Sequence, residues 1–287
     1  MDVALISDYK IEDYQDVGYE KKWSIATGIY RELLKLRAVK KIIWYPFPPD
    51  ISNFPFHQLD RDIKDGKIEP NIIIYLSCGP RDDSMFSKYK FPNSKLVVDL
   101  GDEPLTKVFN SQRASNADIV LTPDRDCYNF YKSKGYNVIH TGHWADMDIF
   151  KPDPKANIKY DVVTSMKGNR GKIPKYISTK LKESYINKND LSGQENAILF
   201  QSGKIIFQKS RFNELTRRIF EGMATNKMVI TDRLPESKRL DVFFEENKEI
   251  VLYDNKREAL KKIKYYLKKD KEREEIAKNG YEKVKKY

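Results

Sequence analysis

Lys204-Ile-Ile-Phe-Gln-Lys-Ser-Arg-Phe-Asn-Glu-Leu-Thr-Arg-Arg-Ile-Phe-Glu-Gly-Met-Ala-Thr-Asn-Lys-Met-Val-Ile-Thr231 changes its hydrophobic period twice. Ile205 to Phe207 is a short apolar run. Leu215, Ile219, Phe220, Met223 and Ala224 then recur at the spacing of one helical face, Asn226 acts as a stop, and Met228 to Ile230 is a second buried run. This pattern predicts a βαβ unit. Such a unit places the helix start, with its unpaired backbone N–H groups, at the carboxyl edge of a parallel sheet, where a phosphorylated ligand can be held. The spacing puts that start at Asn213 or a neighbour, with Glu214, Thr216, Arg217, Arg218 and Glu221 on the first two turns. Glu221 sits where the helix turns away from its core face. Its carboxylate therefore either points into a cleft or is solvated, as glutamates on amphipathic helices usually are.

Working outward, the 287-residue chain is 40% hydrophobic and 12% aromatic, a globular composition long enough for two domains. No apolar run has transmembrane length, and the start, Met1 to Asp8, lacks the features of a signal peptide, so the expected location is cytoplasmic. Cys78 and Cys127 are too few and too far apart for a disulfide framework or a zinc motif and read as core residues. The net charge of +11 points to an anionic partner: a nucleotide diphosphate, nucleic acid or an acidic membrane face.

The first half reads as a doubly wound α/β domain. Val3 to Ile6, Ile42 to Tyr45, Ile72 to Leu76, Leu96 to Leu100, Ile119 to Leu121 and Val138 to His140 are continuous apolar runs of the parallel-sheet type. An acidic, tyrosine-rich loop from Tyr9 to Tyr19 follows the first strand, then a helix with Trp23, Ile29, Leu33 and Leu36 on its apolar positions. A Pro-rich connection spans Pro46 to Pro55, and helices are expected near 104–115 and 124–134. Polar clusters at the strand ends, among them Ser77-Cys-Gly79, Asp99 to Glu103 and His140 to Asp146, converge on one edge. Asp124-Arg-Asp126 has the Asp-x-Asp form of a metal site, but it opens a helix, where the helix dipole favours acids. Ala145 to Pro152 reads as a linker, and the domain boundary falls there: residues 1–150 and 151–287.

In the second domain Tyr160 to Thr164 is a strand, and Ser165 to Pro174 holds two glycines and several basic residues. Glycine lets a backbone approach a diphosphate, and arginine binds phosphate oxygens bidentately, so Arg170 and Lys172 are the preferred pair, with Lys167 as a substitute. Ile250 to Tyr253 is a last strand, followed by an amphipathic helix, Lys256 to Leu267, and a charge-laced one, Lys268 to Tyr287. From Asp254 onward 13 Lys and Arg face 7 Asp and Glu. That excess suits an anionic membrane or nucleic acid, or simply a solvated helix pair.

Thr216 to Ala224 followed by Met228 to Asp232 resembles the donor-site segment of GT-B glycosyltransferases, in particular the CgeB-like group of the retaining, nucleotide-sugar-dependent class. Asp99, Asp102, Asn116, Ala117 and Asp118 also fit that group, and Ala145 to Pro152 resembles the crossing between GT-B domains. The resemblance implies two Rossmann-like domains facing across a cleft, an acceptor-side first domain, and a final helix packing back toward that domain. It implies that Glu221 binds the donor ribose. The partner glutamate of the family's pair would stand eight positions earlier, where this chain has Asn213, with Glu214 beside it.

The resulting expectation is transfer of a sugar from a nucleotide diphosphate sugar, for instance a UDP-sugar, to a hydroxyl acceptor on a glycan, glycolipid or modified base. No cofactor or metal is expected. Donor binding is assigned to Arg170, Lys172, Lys209, Asn213, Thr216, Arg218 and Glu221, and catalysis to Asp102, His143 and Glu214. Asp8, Asp16, Asp102 and His143 are expected on first-domain loops that line the cleft. Alternative readings are a DNA-modifying viral glycosyltransferase and a non-catalytic nucleic-acid-binding protein using the basic surface. The second would need exposed aromatics interleaved with basic residues or a known nucleic-acid fold, and neither is evident.

Overall fold

The computed structural model describes residues 1–7, 25–46, 54–77, 91–101, 103, 106–168, 170–235, 238 and 240–286. Asp8, Asp16, Cys78 and Asp102 lie outside them. The chain divides into two compact units, Met1–Thr141 and Gly142–Tyr287.

The first unit runs β1 (Asp2–Ser7), α1 (Ile25–Lys35), β2 (Lys41–Pro46), α2 (Phe54–Lys64), β3 (Ile72–Ser77), β4 (Lys95–Leu100), α3 (Lys107–Ala114), β5 (Ile119–Thr122), α4 (Arg125–Ser133) and β6 (Val138–His140). The strands form one parallel sheet in the order β2-β1-β3-β4-β5-β6. Each predicted apolar run is a strand because a parallel sheet covered by helices buries both faces. Val3 pairs with Ile42 on one side and Ile72 on the other. The Pro-rich connection ends sooner than its composition suggests: Phe54 and Pro55 already open α2, since proline's missing N–H costs nothing in the first turn.

Two acidic residues singled out above have structural duties. Asp118 accepts the Leu96 N–H at 2.9 Å and pairs with Lys95 Nζ at 2.9 Å, fastening the start of β4 to β5. Asp124 caps α4 by accepting the Cys127 N–H at 2.9 Å, the helix-opening role its position suggested. Cys127 is in the core.

Glu103 is buried behind the end of β4. Its carboxylate accepts hydrogen bonds from Thr122 Oγ1 and, at 2.5 Å, from the Tyr131 hydroxyl. Asn110 and Arg113, both fully buried, meet at 2.8 Å in the same unit. Burial holds the Glu103 carboxyl above its usual range, although the hydroxyl donors pull the other way. A carboxyl raised on folding favours the protonated form, so its contribution is complete at low pH and declines as pH rises. Glu103→Gln should therefore match the wild type in acid and become progressively more stable than it as pH rises above the ordinary carboxylate range. Thermal melts of the two proteins from pH 4 to 8 check this; a constant difference across the series would refute it.

The second unit runs β7 (Tyr160–Thr164), α5 (Lys172–Leu181), β8 (Tyr185–Asn187), α6 (Gly193–Gln201), β9 (Gly203–Phe207), α7 (Arg217–Ala224), β10 (Met228–Asp232), β11 (Val251–Tyr253), α8 (Lys256–Tyr266) and α9 (Asp270–Val284). Its sheet has the order β11-β10-β9-β7-β8, all parallel. The predicted βαβ unit is β9-α7-β10, with Met228 opposite Ile205 and Ile230 opposite Phe207. The five apolar residues of the helical pattern are all buried. β9 lies tightly against β7: a methyl group on Gly203 would sit 2.6 Å from Val163 Cγ2. α9 packs on α7 and β10.

Candidate functional site

The strand order reverses between β7 and β9, so the loops after these strands, 165–171 and 208–216, flank a topological switch point at the carboxyl edge. Open α/β sheets hold ligands there. The first loop ends at Gly171, whose φ of 76° and ψ of −160° belong to a region almost exclusive to glycine.

The second loop is an arch held by two carboxylates. At its base, Asp232 at the end of β10 accepts from Ser210 N at 2.8 Å and Ser210 Oγ at 2.5 Å, and pairs with Lys209 Nζ at 2.9 Å. At its crown, Glu214 folds back to accept the N–H groups of Arg211, at 3.1 Å, and Phe212. Asn213 between them is exposed with φ of 56°. These bonds correct the predicted helix start. The chain at Asn213 is left-handed, and α7 begins only at Arg217, with Thr216 as its extended N-cap. Glu214 thus belongs to the loop, where its carboxylate is occupied by backbone donors.

Arg170 ties the two loops together. Its Nε donates to Lys167 O at 2.9 Å and its Nη1 to Lys209 O at 3.4 Å, and Nη1 lies 3.7 Å from Glu214 Oε1. Burial, and then the charge of Arg218, pushes the Arg170 guanidinium below its ordinary value. Arg218 is likewise lowered, by burial first. Thr216 Oγ1 accepts from Gln208 Nε2 at 3.1 Å and makes no cap to the first turn, so side-chain capping does not occupy the α7 N-terminus. A partly desolvated cation group at a helix N-terminus attracts an anion strongly.

Glu221 is 2% exposed and accepts from Arg217 Nε at 2.9 Å. It is neither solvated nor an unengaged carboxylate. Lys172, at the first position of α5, is exposed, and its side chain has no ion pair among the described residues.

His143 lies in the second unit, not on first-domain loops as expected. Its Nε2 is 3.1 Å from Leu215 O, and its ring meets Phe220 edge-on. A Cβ on neighbouring Gly142 would come within 3.0 Å of Phe220, which shows how closely this segment follows α7. Burial, followed by the charge of Arg217, brings the His143 pKa down to about 4. The ring is neutral at pH 7, with Nε2–H donating to Leu215 and the lone pair on Nδ1.

Asp232, Gln208, Ser210 and Arg217 were not among the predicted site residues. The available signal for Asp232 was its place at the end of a continuous apolar strand, beside the switch point.

Residues 168–287 match the model of a glycosyl transferase-like family. No curated protein matches the chain by sequence. Among solved structures, sucrose-phosphate synthase (tll1590) from Thermosynechococcus elongatus superposes with a TM-score of 0.64 at 10% identity, over 100% of this chain and 94% of that one. HepE (Alr3699) from Anabaena, in complex with UDP-glucose, gives 0.64 at 11% identity over 100% and 95%. MnaA from S. aureus, in complex with UDP, gives 0.56 at 11% over 97% and 91%. Both units thus have the parallel α/β architecture of the GT-B fold, and the second carries the segment similar to the glycosyl transferase-like family.

Two expectations follow. Asp232→Asn removes the charge that balances Lys209 and should cost about 1–3 kcal/mol in urea unfolding; an unchanged midpoint would show that the arch stands without it. His143 is lowered on folding, so the unfolded chain takes up the extra proton first. Its contribution is complete above its usual value of 6.5 and falls away as pH drops toward about 4. His143→Gln should flatten this part of the stability profile, by roughly 2–3 kcal/mol at its largest, in melts between pH 7 and 4. A profile of unchanged slope would remove His143 as its source.

Proposed function

We propose that the protein is a glycosyltransferase that moves a sugar from a nucleotide diphosphate sugar to a hydroxyl acceptor, without a metal ion and with retention of configuration. The observation that carries the donor half of this reading is Arg170 bridging the two loops at the switch point, with Arg218 on the first turn of the α7 helix that follows. The UDP and UDP-glucose complexes of the structurally similar MnaA and HepE support it. As the bond from the anomeric carbon to the phosphate breaks, negative charge grows on the leaving diphosphate. Fixed cations and backbone N–H groups aimed at that charge stabilise it more than they stabilise the bound donor. In this reading they do the work that a divalent cation does elsewhere.

The ribose is assigned to Glu221. Its carboxylate is already held by Arg217, so the ribose hydroxyls would share it with that guanidinium. His143, neutral and fixed by Leu215, offers Nδ1 as an acceptor for a sugar hydroxyl. Glu214 acts by holding the arch and Arg170 in place. Retention is taken from the CgeB-like resemblance: the acceptor oxygen attacks on the side the phosphate leaves, and a phosphate oxygen takes its proton. Asp102 belongs to the acceptor side of the proposal. The acceptor is a hydroxyl of a glycan, glycolipid or modified base.

Arg218 makes no ion pair within the described residues, so Arg218→Gln is expected to fold as the wild type does. In a thermal-shift screen, one of the nucleoside diphosphates UDP, GDP or ADP should stabilise the wild type. Arg218→Gln should weaken that ligand about 10- to 100-fold, the size of one lost charge-assisted contact, with the unliganded melting temperature unchanged. No stabilisation by any of them, or equal affinity in the variant, would overturn the donor assignment.

A further inference from the structure

We propose that the face formed by α5 and α8 is a docking surface for anionic lipid headgroups. Arg257, Lys261 and Lys264 on α8, with Lys268 just beyond it, follow at i, i+4, i+7 and i+11, the spacing of a single helical stripe, and all four are exposed. α5 packs against α8 and exposes Lys175 and, in the turn after it, Lys182. The two helices present their cations together: Lys180 Nζ lies 6.0 Å and Lys256 Nζ 5.2 Å from the centroid of the same Tyr176 ring.

None of these cations has an ion pair among the described residues, and the nearby acids Glu258 and Glu246 are occupied by Lys262 at 2.9 and 3.6 Å. Helix α9 supplies the contrast within the same unit. It alternates sign along its length and pairs some of its charges, Arg273 with Asp270 at 2.6 Å and, just past its end, Lys285 with Glu282 at 3.2 Å. A helix that merely faces water gains from such pairing and loses from same-sign neighbours four residues apart. The α5–α8 face keeps that cost, which points to an anion that repays it.

Lysine outnumbers arginine on the face. Hydrated point charges on long stems suit the diffuse field of a charged bilayer, whereas nucleic-acid backbones favour the directional fork of arginine. The Tyr176 ring, already flanked by two ammonium groups, is not offered for base stacking. Attachment through these exposed cations is electrostatic and therefore salt-sensitive.

The whole chain is mixed with vesicles of phosphatidylcholine alone and with phosphatidylglycerol added, and sedimented. Binding should require phosphatidylglycerol and vanish at high salt. Each lysine near such a surface contributes about fivefold to partitioning, so K175E/K261E/K264E should lower binding by about 100-fold or more. K271E/K278E/K286E, the same charge change at exposed positions on α9 and the turn after it, should lower it far less. K175Q/K261Q/K264Q, a milder change, reads the same surface if the reversed variant does not fold by circular dichroism. Equal binding to both vesicle types, or equal losses in the α8 and α9 variants, would overturn the proposal. So would tight binding to duplex DNA with indifference to anionic vesicles, which would reassign the face to nucleic acid.

Discussion

The Asp232 carboxylate is the contact on which the rest of the site depends. It terminates β10, reaches across to β9, and binds the ammonium of Lys209 together with the backbone and hydroxyl of Ser210. With the Thr231 hydroxyl at 3.3 Å it has four donors and is satisfied; a buried carboxylate left without them would be costly. The arch from Lys209 to Thr216 therefore has one low-energy shape, which sets where Arg170 meets Lys209 O and where α7 can begin. Lys209 and Arg170 are thus held by contacts within the unit itself.

What the sequence announced and what it concealed divide along a physical line. The parallel strands were legible because burial on both faces leaves uninterrupted apolar runs, and Ile205 to Phe207 and Met228 to Ile230 show this plainly. The helical face of α7 was legible for the same reason. Its start was not: Asn213 in a left-handed turn and Glu214 bonded to the backbone behind it make a loop from residues that read equally well as a polar first turn. Helix α6 was missed although Ser192 and Glu195 form a capping box, a signal present in the sequence. Short β8 carries too few residues to show a period. Most of the site is tertiary. Nothing near His143 in sequence tells that it rests on Leu215 and Phe220, whereas the Arg217–Glu221 pair, four residues apart on one helix, was open to reading.

Two buried titratable groups, one in each unit, are both shifted toward their neutral forms. In the first unit Glu103 is desolvated among hydroxyl donors, and its carboxyl is raised. In the second, His143 is desolvated beside a guanidinium, and its imidazole is lowered. Burial disfavours whichever form is charged, so the same physical cause moves an acid and a base in opposite directions.

Gly203 shows how far from the site its dimensions are decided. It opens β9, where Val163 of β7 leaves no room for a methyl group. The strand it opens runs to Phe207, about 13 Å away, and Lys209 stands two residues beyond its end. The spacing between the two loops that frame the switch point is inherited from a side chain missing at the opposite end of the sheet. A methyl group there would have to push β7 and β9 apart, and the loops that follow the two strands would part with them.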